Sequence, residues 1–377
     1  TKSHIEIITS PQESMENIHQ DLIKRALALE EIANKHGIVV GTISEMNEGE
    51  SKQWSPSGLN GYKVRLLGYN LVLGKEINEK LPLFSGIHVN QSEYKNPLLQ
   101  YQALKSLDPS FVFASTSPID PWGKSNVNCS RVQHFRNCMD YSNETKNGNN
   151  NLLFSKLTDY PKTLDELDGS AREAYELWLV KCLIKGMNNE EFQNSFSDDN
   201  TGYFTVRRRA KGTIAARSED RISDTVPLEI TLAITALRKG YLDRILNNSE
   251  KVRIATKNNE YDFERNNIVL PNFETLSKYS KQGINHGLKK DGVRDYLTAT
   301  VDFAMKGLPF YERHYLKPLE KMLSLKENYA DQMIQCADQM SPLISTPKDN
   351  NKCSLDQIRR VSLFMRTKYL DSIEMLK

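Results

Sequence analysis

Two ionisable side chains stand inside segments that otherwise have the apolar, β-branched composition of strands. Glu6 lies between two isoleucines in "HIEIIT", and His88 lies between Ile87 and Val89 in "GIHVN". A carboxylate and an imidazole can together hold a divalent cation. Each residue taken alone also fits a strand with one solvated face, so a metal site and a plain surface both remain open.

A third segment, "RAKGTIAARSEDR" from Arg209 to Arg221, also has a strand pattern and carries arginine. Side chains alternate between the two faces of a strand, so we expect Ala215 and Arg217 to share a face. A guanidinium can bind a phosphate group bidentately, which suits a site for a metal-bound nucleotide. The alanine is unexpected, because larger β-branched residues pack better in strands.

Other segments must supply the elements that hold these residues. Strand patterns extend over "SHIEIITS" and "FSGIHVNQS", which contain Glu6 and His88. Apolar periodicity predicts helices at "NPLLQYQALKSL" and "VPLEITLAITALRKGYLDRIL", and the pattern stays mostly helical from position 225 onward. The sequence therefore predicts a mixed fold of short strands and longer helices.

The composition limits the class of protein. The chain has 377 residues with 50 basic and 48 acidic side chains, and this balance argues against a nucleic-acid or membrane-surface partner. No apolar run reaches the roughly 20 residues of a membrane-spanning helix, and the pattern of a signal peptide is absent. The five cysteines include no C-x-x-C pair, which fits free thiols. We expect a cytoplasmic protein.

Several segments occur in an order that is typical of one enzyme family. "IEIITSP" is similar to an E-L/I-x-T-P segment and "GIHVN" to a G-x-H-V-H/N strand. "LDPSFVFASTSPIDPWGKSNVNCSRVQHFR" is similar to the helix and serine/arginine segment that follow, and "GTIAARSEDRISDTVPLEITLAITAL" to a G-T-I/V-E-x-R-x-x-D strand with its helix. Together they resemble the glutamate–cysteine ligase family of ATP-dependent carboxylate–amine ligases.

The resemblance implies an α+β fold in which a curved, mainly antiparallel sheet forms a half-open funnel, as in glutamine synthetase, with helices packed outside. Residues 1–250 would form the catalytic domain, and residues 251–377 would be a helical C-terminal part of the same domain. In this family a carboxylate attacks the γ-phosphate of ATP, and an amine captures the acyl phosphate. We therefore expect ATP with Mg²⁺ or Mn²⁺ as cofactors, an amino-acid donor such as glutamate, and cysteine, another amine or a peptide as acceptor.

The resemblance also assigns residues. It implies that Glu6 and His88 bind metal and that Arg217 faces the phosphates. Three further side chains fall on positions that would bind nucleotide or substrate: Arg131, Arg207 and Asn90. For Arg131 a simple role at a helix end is an equal alternative.

Ala215 departs from the family pattern, because it stands where the family has a metal-binding glutamate. An engineered deletion, a natural paralogue with altered catalysis and a misaligned segment are the three interpretations. The family's first strand, with an E-x-E pair of metal ligands, has no counterpart in "TKSHIEIITS". Either an upstream segment carries that strand, or the strand is absent and the sheet is shorter. The sequence thus predicts a ligase or, alternatively, a catalytically impaired pseudo-ligase that binds a nucleotide, an amino acid or a protein. It does not name the amine acceptor or the oligomeric state.

Overall fold

Helices form most of the described part of the chain in the computed structural model. Those within the described ranges are α1 (Met15–Lys35), α2 (Pro97–Ser106), α3 (Leu164–Ile184), α4 (Asn189–Ser195), α5 (Leu228–Leu246), α6 (Phe273–His286), α7 (Asp291–Gly307), α8 (Lys317–Leu325), α9 (Tyr329–Asp338) and α10 (Leu355–Leu376). Short 3-10 helices cover Asp108–Ala114, Ser249–Lys251, Gly287–Lys289 and Phe310–Leu316. The structure describes residues 6–42, 67–69, 71–72, 86–93, 96–117, 127–133, 159–198, 205–264, 267–338 and 355–377. Within them, no helix is both long and apolar enough to cross a membrane.

The described strands make two small sheets. The first sheet is antiparallel and has the order β1–β3–β2, with β3 in the centre. In the second sheet the central β6 runs parallel to β4 and antiparallel to β5. The strands are β1 (Val89–Ser92), β2 (Val206–Arg209), β3 (Arg217–Asp220), β4 (Val252–Ile254), β5 (Asp262–Glu264) and β6 (Asn267–Leu270). The fold is thus mixed α+β and mostly helical.

Helix α5 is the central element of the core. Its buried residues lie on every side of the helix and include Leu232, Leu237 and Tyr241, which is typical of a helix surrounded by other elements. Helix α7 packs against it so closely that a Cβ at Gly307 would lie 1.9 Å from the carbonyl oxygen of Gly240. One hydrophobic cluster joins residues before and after position 250; the predicted division at that position stays a prediction.

Two strand predictions are wrong. Residues 6–12 have no regular structure and Glu6 is exposed, so Glu6 does not occupy a mid-strand position. Ala215 is exposed in the loop that joins β2 to β3, because the strand begins only at Arg217. Ala210 and Gly212 take left-handed φ angles of 52° and 73° in this loop, which turn the chain back on itself.

The third strand prediction is confirmed in its second half. Strand β1 begins at Val89, and His88 lies one residue before it. The segment just before β1 is bonded to the segment just after β3, because the amide of Ile87 donates to the carbonyl of Ser223 at 3.0 Å. His88 is therefore held beside the first sheet although it is outside the strand.

Candidate functional site

One face of the first sheet gathers most of the chemically interesting side chains. The register pairs Glu219 of β3 with Asn90 on one side and with Arg207 on the other, and it pairs Arg217 with Arg209. Because side chains alternate, these five residues share a face. We call it the front face, and the opposite side, with Val89, Val206, Arg208, Ser218 and Asp220, the rear face.

A buried ion pair fixes β3 against the core. The Nε atom of Arg238, on α5, donates to Oδ2 of Asp220 at 2.6 Å, and a second guanidinium nitrogen donates to the Ser223 hydroxyl at 3.2 Å. Arg238 has no exposed surface. Since Asp220 points to the rear, its neighbour Glu219 must point to the front.

A second buried pair fixes the chain just after β3. The Nη1 atom of Arg131 lies 3.1 Å from Oδ1 of Asp224 and also donates to the carbonyl of Ile222 at 3.2 Å. Asp224 accepts further hydrogen bonds from the Thr116 amide and the Ser117 hydroxyl. Burial raises the pKa of Asp224, while Arg131 opposes that rise.

These contacts give Arg131 a structural role, although it is the pairing with Asp224 and not the predicted role at a helix end; its role in binding stays a prediction. The residue is 3% exposed, so its guanidinium lies inside the protein rather than on the front face. A Cβ at Gly86 would lie 2.4 Å from Nη2 of Arg131, so only glycine leaves room for the guanidinium. Arg131 holds the segment that carries the front-face residues.

Glu219 lies at the centre of the positive groups. It is 6% exposed. Its carboxylate accepts a hydrogen bond from Nε of Arg207, and it lies 3.7 Å from Nη1 of Arg209 and 3.9 Å from Nε of Arg221. On the other side, Nδ1 of His88 lies 3.5 Å from Oε1. We call Glu219, Arg207, Arg221 and His88 the Glu219 cluster.

The charges in this cluster shift its pKa values. Burial disfavours ionisation of Glu219, but the charge and hydrogen bond of Arg207, together with the charge of Arg221, outweigh it, so the pKa of Glu219 is lowered. Burial and the neighbouring Arg221 lower the pKa of Arg207 to about 10. Burial, followed by the charge of Arg221, lowers the pKa of His88, with Glu219 acting in the opposite direction. At neutral pH the cluster therefore combines a carboxylate, two guanidinium groups and a neutral imidazole.

The described residues offer few metal ligands. Among them, no three His, Cys, Asp or Glu side chains come together as a cation would need. Glu219 and His88 are the carboxylate and imidazole that the front face presents, whereas Glu6 lies in the exposed segment before α1. The assignment of Glu6 and His88 as a metal pair stays a prediction.

Three functional candidates escaped the sequence reading: Glu219, Arg221 and Asp224. Their spacing, E-x-R-x-x-D, is the family spacing that the sequence pattern suggested at positions 215–220, and it occurs complete four residues later. The glycine and threonine of "GTI" favour the earlier position. The repeated spacing was the available signal, and only the position of the strand distinguishes the two registers.

The arrangement has the chemistry of an oxyanion site. Guanidinium groups surround one ionised carboxylate, so positive charge exceeds negative charge on the front face. Such a surface favours phosphate or carboxylate groups. Comparison with protein-family models and with curated proteins finds no match to this chain.

Proposed function

We propose that the chain is an ATP-dependent carboxylate–amine ligase and that its front face binds the nucleotide phosphates. The Glu219 cluster carries this proposal. Arginines that converge on a nearly buried carboxylate provide both the positive charge that phosphates require and a negative group that can attract a metal-bound nucleotide or an ammonium. The half-open funnel expected for such a ligase would extend from the first sheet.

The register of β3 supports an active ligase over a pseudo-ligase. If E-x-R-x-x-D is read at Glu219, Arg221 and Asp224, the carboxylate missing at Ala215 is supplied by Glu219. The alanine at position 215 then does not reflect an engineered or natural loss of a glutamate, because this position belongs to an exposed loop. Of the three interpretations of the alanine, we adopt misalignment.

The proposed reaction has two steps. An oxygen of the donor carboxylate bonds to the γ-phosphorus as the bond to the β,γ-bridging oxygen breaks, and ADP leaves with that electron pair. The amine nitrogen then bonds to the acyl carbon, phosphate leaves with the electrons of the C–O bond, and the amine gives up a proton. Arg207 and Arg221 would neutralise charge on the transferred phosphoryl group.

Mg²⁺ or Mn²⁺ fits this site only together with the nucleotide. Magnesium is commonly held by one or two protein carboxylates plus phosphate oxygens, and the front face offers the carboxylate of Glu219. When bound, the ion would neutralise phosphate charge. Arg207 already donates to Glu219, so the guanidinium must share this carboxylate with any cation.

Substitution Glu219→Gln tests the proposal. ADP release would be measured with a panel of amino-acid donors and with cysteine, other amines or a peptide as acceptors. We expect kcat to fall by about 100-fold, as when one preorganised electrostatic group is removed. ATP should still bind, because the arginines then lack their opposing charge. Arg172→Gln, at an exposed position on α3, is the control and should leave kcat unchanged.

Two results would overturn the proposal, the first its assignment of the site and the second the ligase activity itself. Full turnover by the Glu219→Gln variant would remove Glu219 from the reaction. ATP binding by the unmodified protein without ADP release for any donor would leave the alternative, a nucleotide-binding module.

A further inference from the structure

Two arginines face each other directly at the loop end of the front face. Arg209 and Arg217 are cross-strand partners in the register of β2 and β3. Like charges placed opposite each other on one face destabilise a sheet. The first sheet nevertheless keeps both, so the repulsion calls for a counter-charge.

The described residues supply little of that counter-charge. Arg217 donates through Nε to Oδ1 of Asn90 at 3.0 Å and through Nη1 to the carbonyl of Ala215 at 3.3 Å, and both acceptors are neutral. Nη1 of Arg209 lies 3.7 Å from Glu219, which is too long for a hydrogen bond. Among the described residues, Glu219 is the one carboxylate within 4.0 Å of Arg209, and none lies that close to Arg217.

We propose that Arg209 and Arg217 form a separate subsite for a phosphoryl group, and that Asn90 is its positioning residue. Two guanidinium groups match the charge of a phosphate dianion, whereas a single carboxylate would neutralise only one of them. The Cα atoms of residues two apart on a strand are about 7 Å apart, so a group held by this pair lies beside the Glu219 cluster, which Arg209 borders at 3.7 Å from Glu219. That the phosphoryl group belongs to ATP rests on the proposed function; the subsite itself does not.

The neutrality of Asn90 is central to this assignment. Its amide oxygen orients the guanidinium of Arg217 without cancelling the charge. An aspartate of the same shape would accept the same hydrogen bond and add a carboxylate, thereby forming an ion pair with Arg217. If Asn90 only holds Arg217 in place, the exchange of asparagine for aspartate leaves phosphate binding unchanged. If Asn90 belongs to an oxyanion subsite, the exchange weakens phosphate binding.

The test is calorimetric titration of the full chain with inorganic phosphate. We expect Asn90→Asp to weaken phosphate binding at least about tenfold, since the new carboxylate pairs with Arg217 and repels phosphate; a cooperative thermal transition checks that the variant is folded. Asn189→Asp, exposed at the start of α4, adds the same charge elsewhere and should bind phosphate like the unmodified protein. Arg217→Gln provides a second variant and should lose phosphate binding too.

Phosphate binding that is unaffected in both front-face variants would overturn the subsite, and so would an unmodified protein that binds no phosphate. The ligase proposal is decided separately by ADP release. Asn90-dependent phosphate binding without ADP release would retain the subsite and reject the ligase. ADP release together with phosphate binding that does not depend on Asn90 would retain the ligase and reject the subsite.

Discussion

The two faces of the first sheet use arginine in opposite ways. On the rear face Arg208 donates to both oxygens of Glu93, at 2.6 and 2.7 Å, and to Asp168 at 2.7 Å. Its side chain is only 8% exposed. Like the pair between Arg238 and Asp220, it is a buried cation with its own carboxylates, and such pairs hold elements together.

On the front face the arginines converge on one carboxylate instead. Arg207, Arg209 and Arg221 all approach Glu219, and Arg217 is held by neutral oxygens. The number of carboxylates available to each guanidinium therefore distinguishes the arginines that hold the fold together from those that can bind a ligand. Charge matched within the protein stabilises the fold, and charge left unmatched is available to a ligand.

The largest loss of stability is expected for Arg238→Met, which removes the partner of the rear-face residue Asp220. Removing one partner leaves Asp220 buried and unpaired, so we expect the free energy of unfolding to fall by about 3–5 kcal/mol. Urea denaturation measures it. Arg253→Met removes an arginine that is 48% exposed and paired with Glu260, and this control should cost about 0–1 kcal/mol. Equal losses in the two variants would contradict a scaffold role for the buried pair.

Adjacent positions of "RRR" offer a matched comparison between the faces. Arg208→Gln breaks charged hydrogen bonds to Glu93 and Asp168 and should lower the free energy of unfolding by about 1.5–3 kcal/mol. Arg209→Gln removes a repulsion with Arg217 and should leave stability unchanged or raise it by about 0.2–1 kcal/mol. Thermal or urea unfolding of both variants measures the difference. A larger loss for the Arg209→Gln variant would reverse the assignment of the faces.

The smallest expected effect is a pH dependence at His88. Its pKa in the folded protein is below the ordinary value of 6.5, so the folded state binds fewer protons than the unfolded state. Its contribution to stability is therefore lost as the pH falls below 6.5 towards the folded pKa. The unfolding free energy of the unmodified protein, taken relative to that of His88→Gln, should fall as the pH is lowered from about 7.5 to about 5. A His88 imidazole that titrates at or above 6.5 by NMR would contradict this.

The long apolar patterns predicted their elements well. Helix α5 was predicted over "VPLEITLAITALRKGYLDRIL" and extends over Leu228–Leu246, and α2 was predicted with similar accuracy. Such helices are readable because burial requires apolar residues at each turn or on every side. The strand prediction at Glu6 failed because a short apolar run is compatible with an extended segment outside any sheet.

The position of the arginines was not readable in the same way. The strand pattern over Arg209–Arg221 ignored the loop at 210–216, in which Ile214 is fully exposed, and it therefore put Ala215 on a strand. The backbone reverses there, and β3 begins only at Arg217. A strand that includes Ala215 and a strand that begins at Arg217 differ in register and not in composition. Strand propensity therefore does not distinguish them.

The sequence by itself determined a helical protein of mixed class with an arginine-rich segment, since composition and periodicity carry that information. Only the tertiary structure decided that Arg207 meets Glu219 while its neighbour Arg208 meets Glu93. The physical reason is that strand side chains alternate, so a shift of one residue exchanges the two faces. Contacts far apart in the chain, such as that of Arg238 with Asp220, select the register.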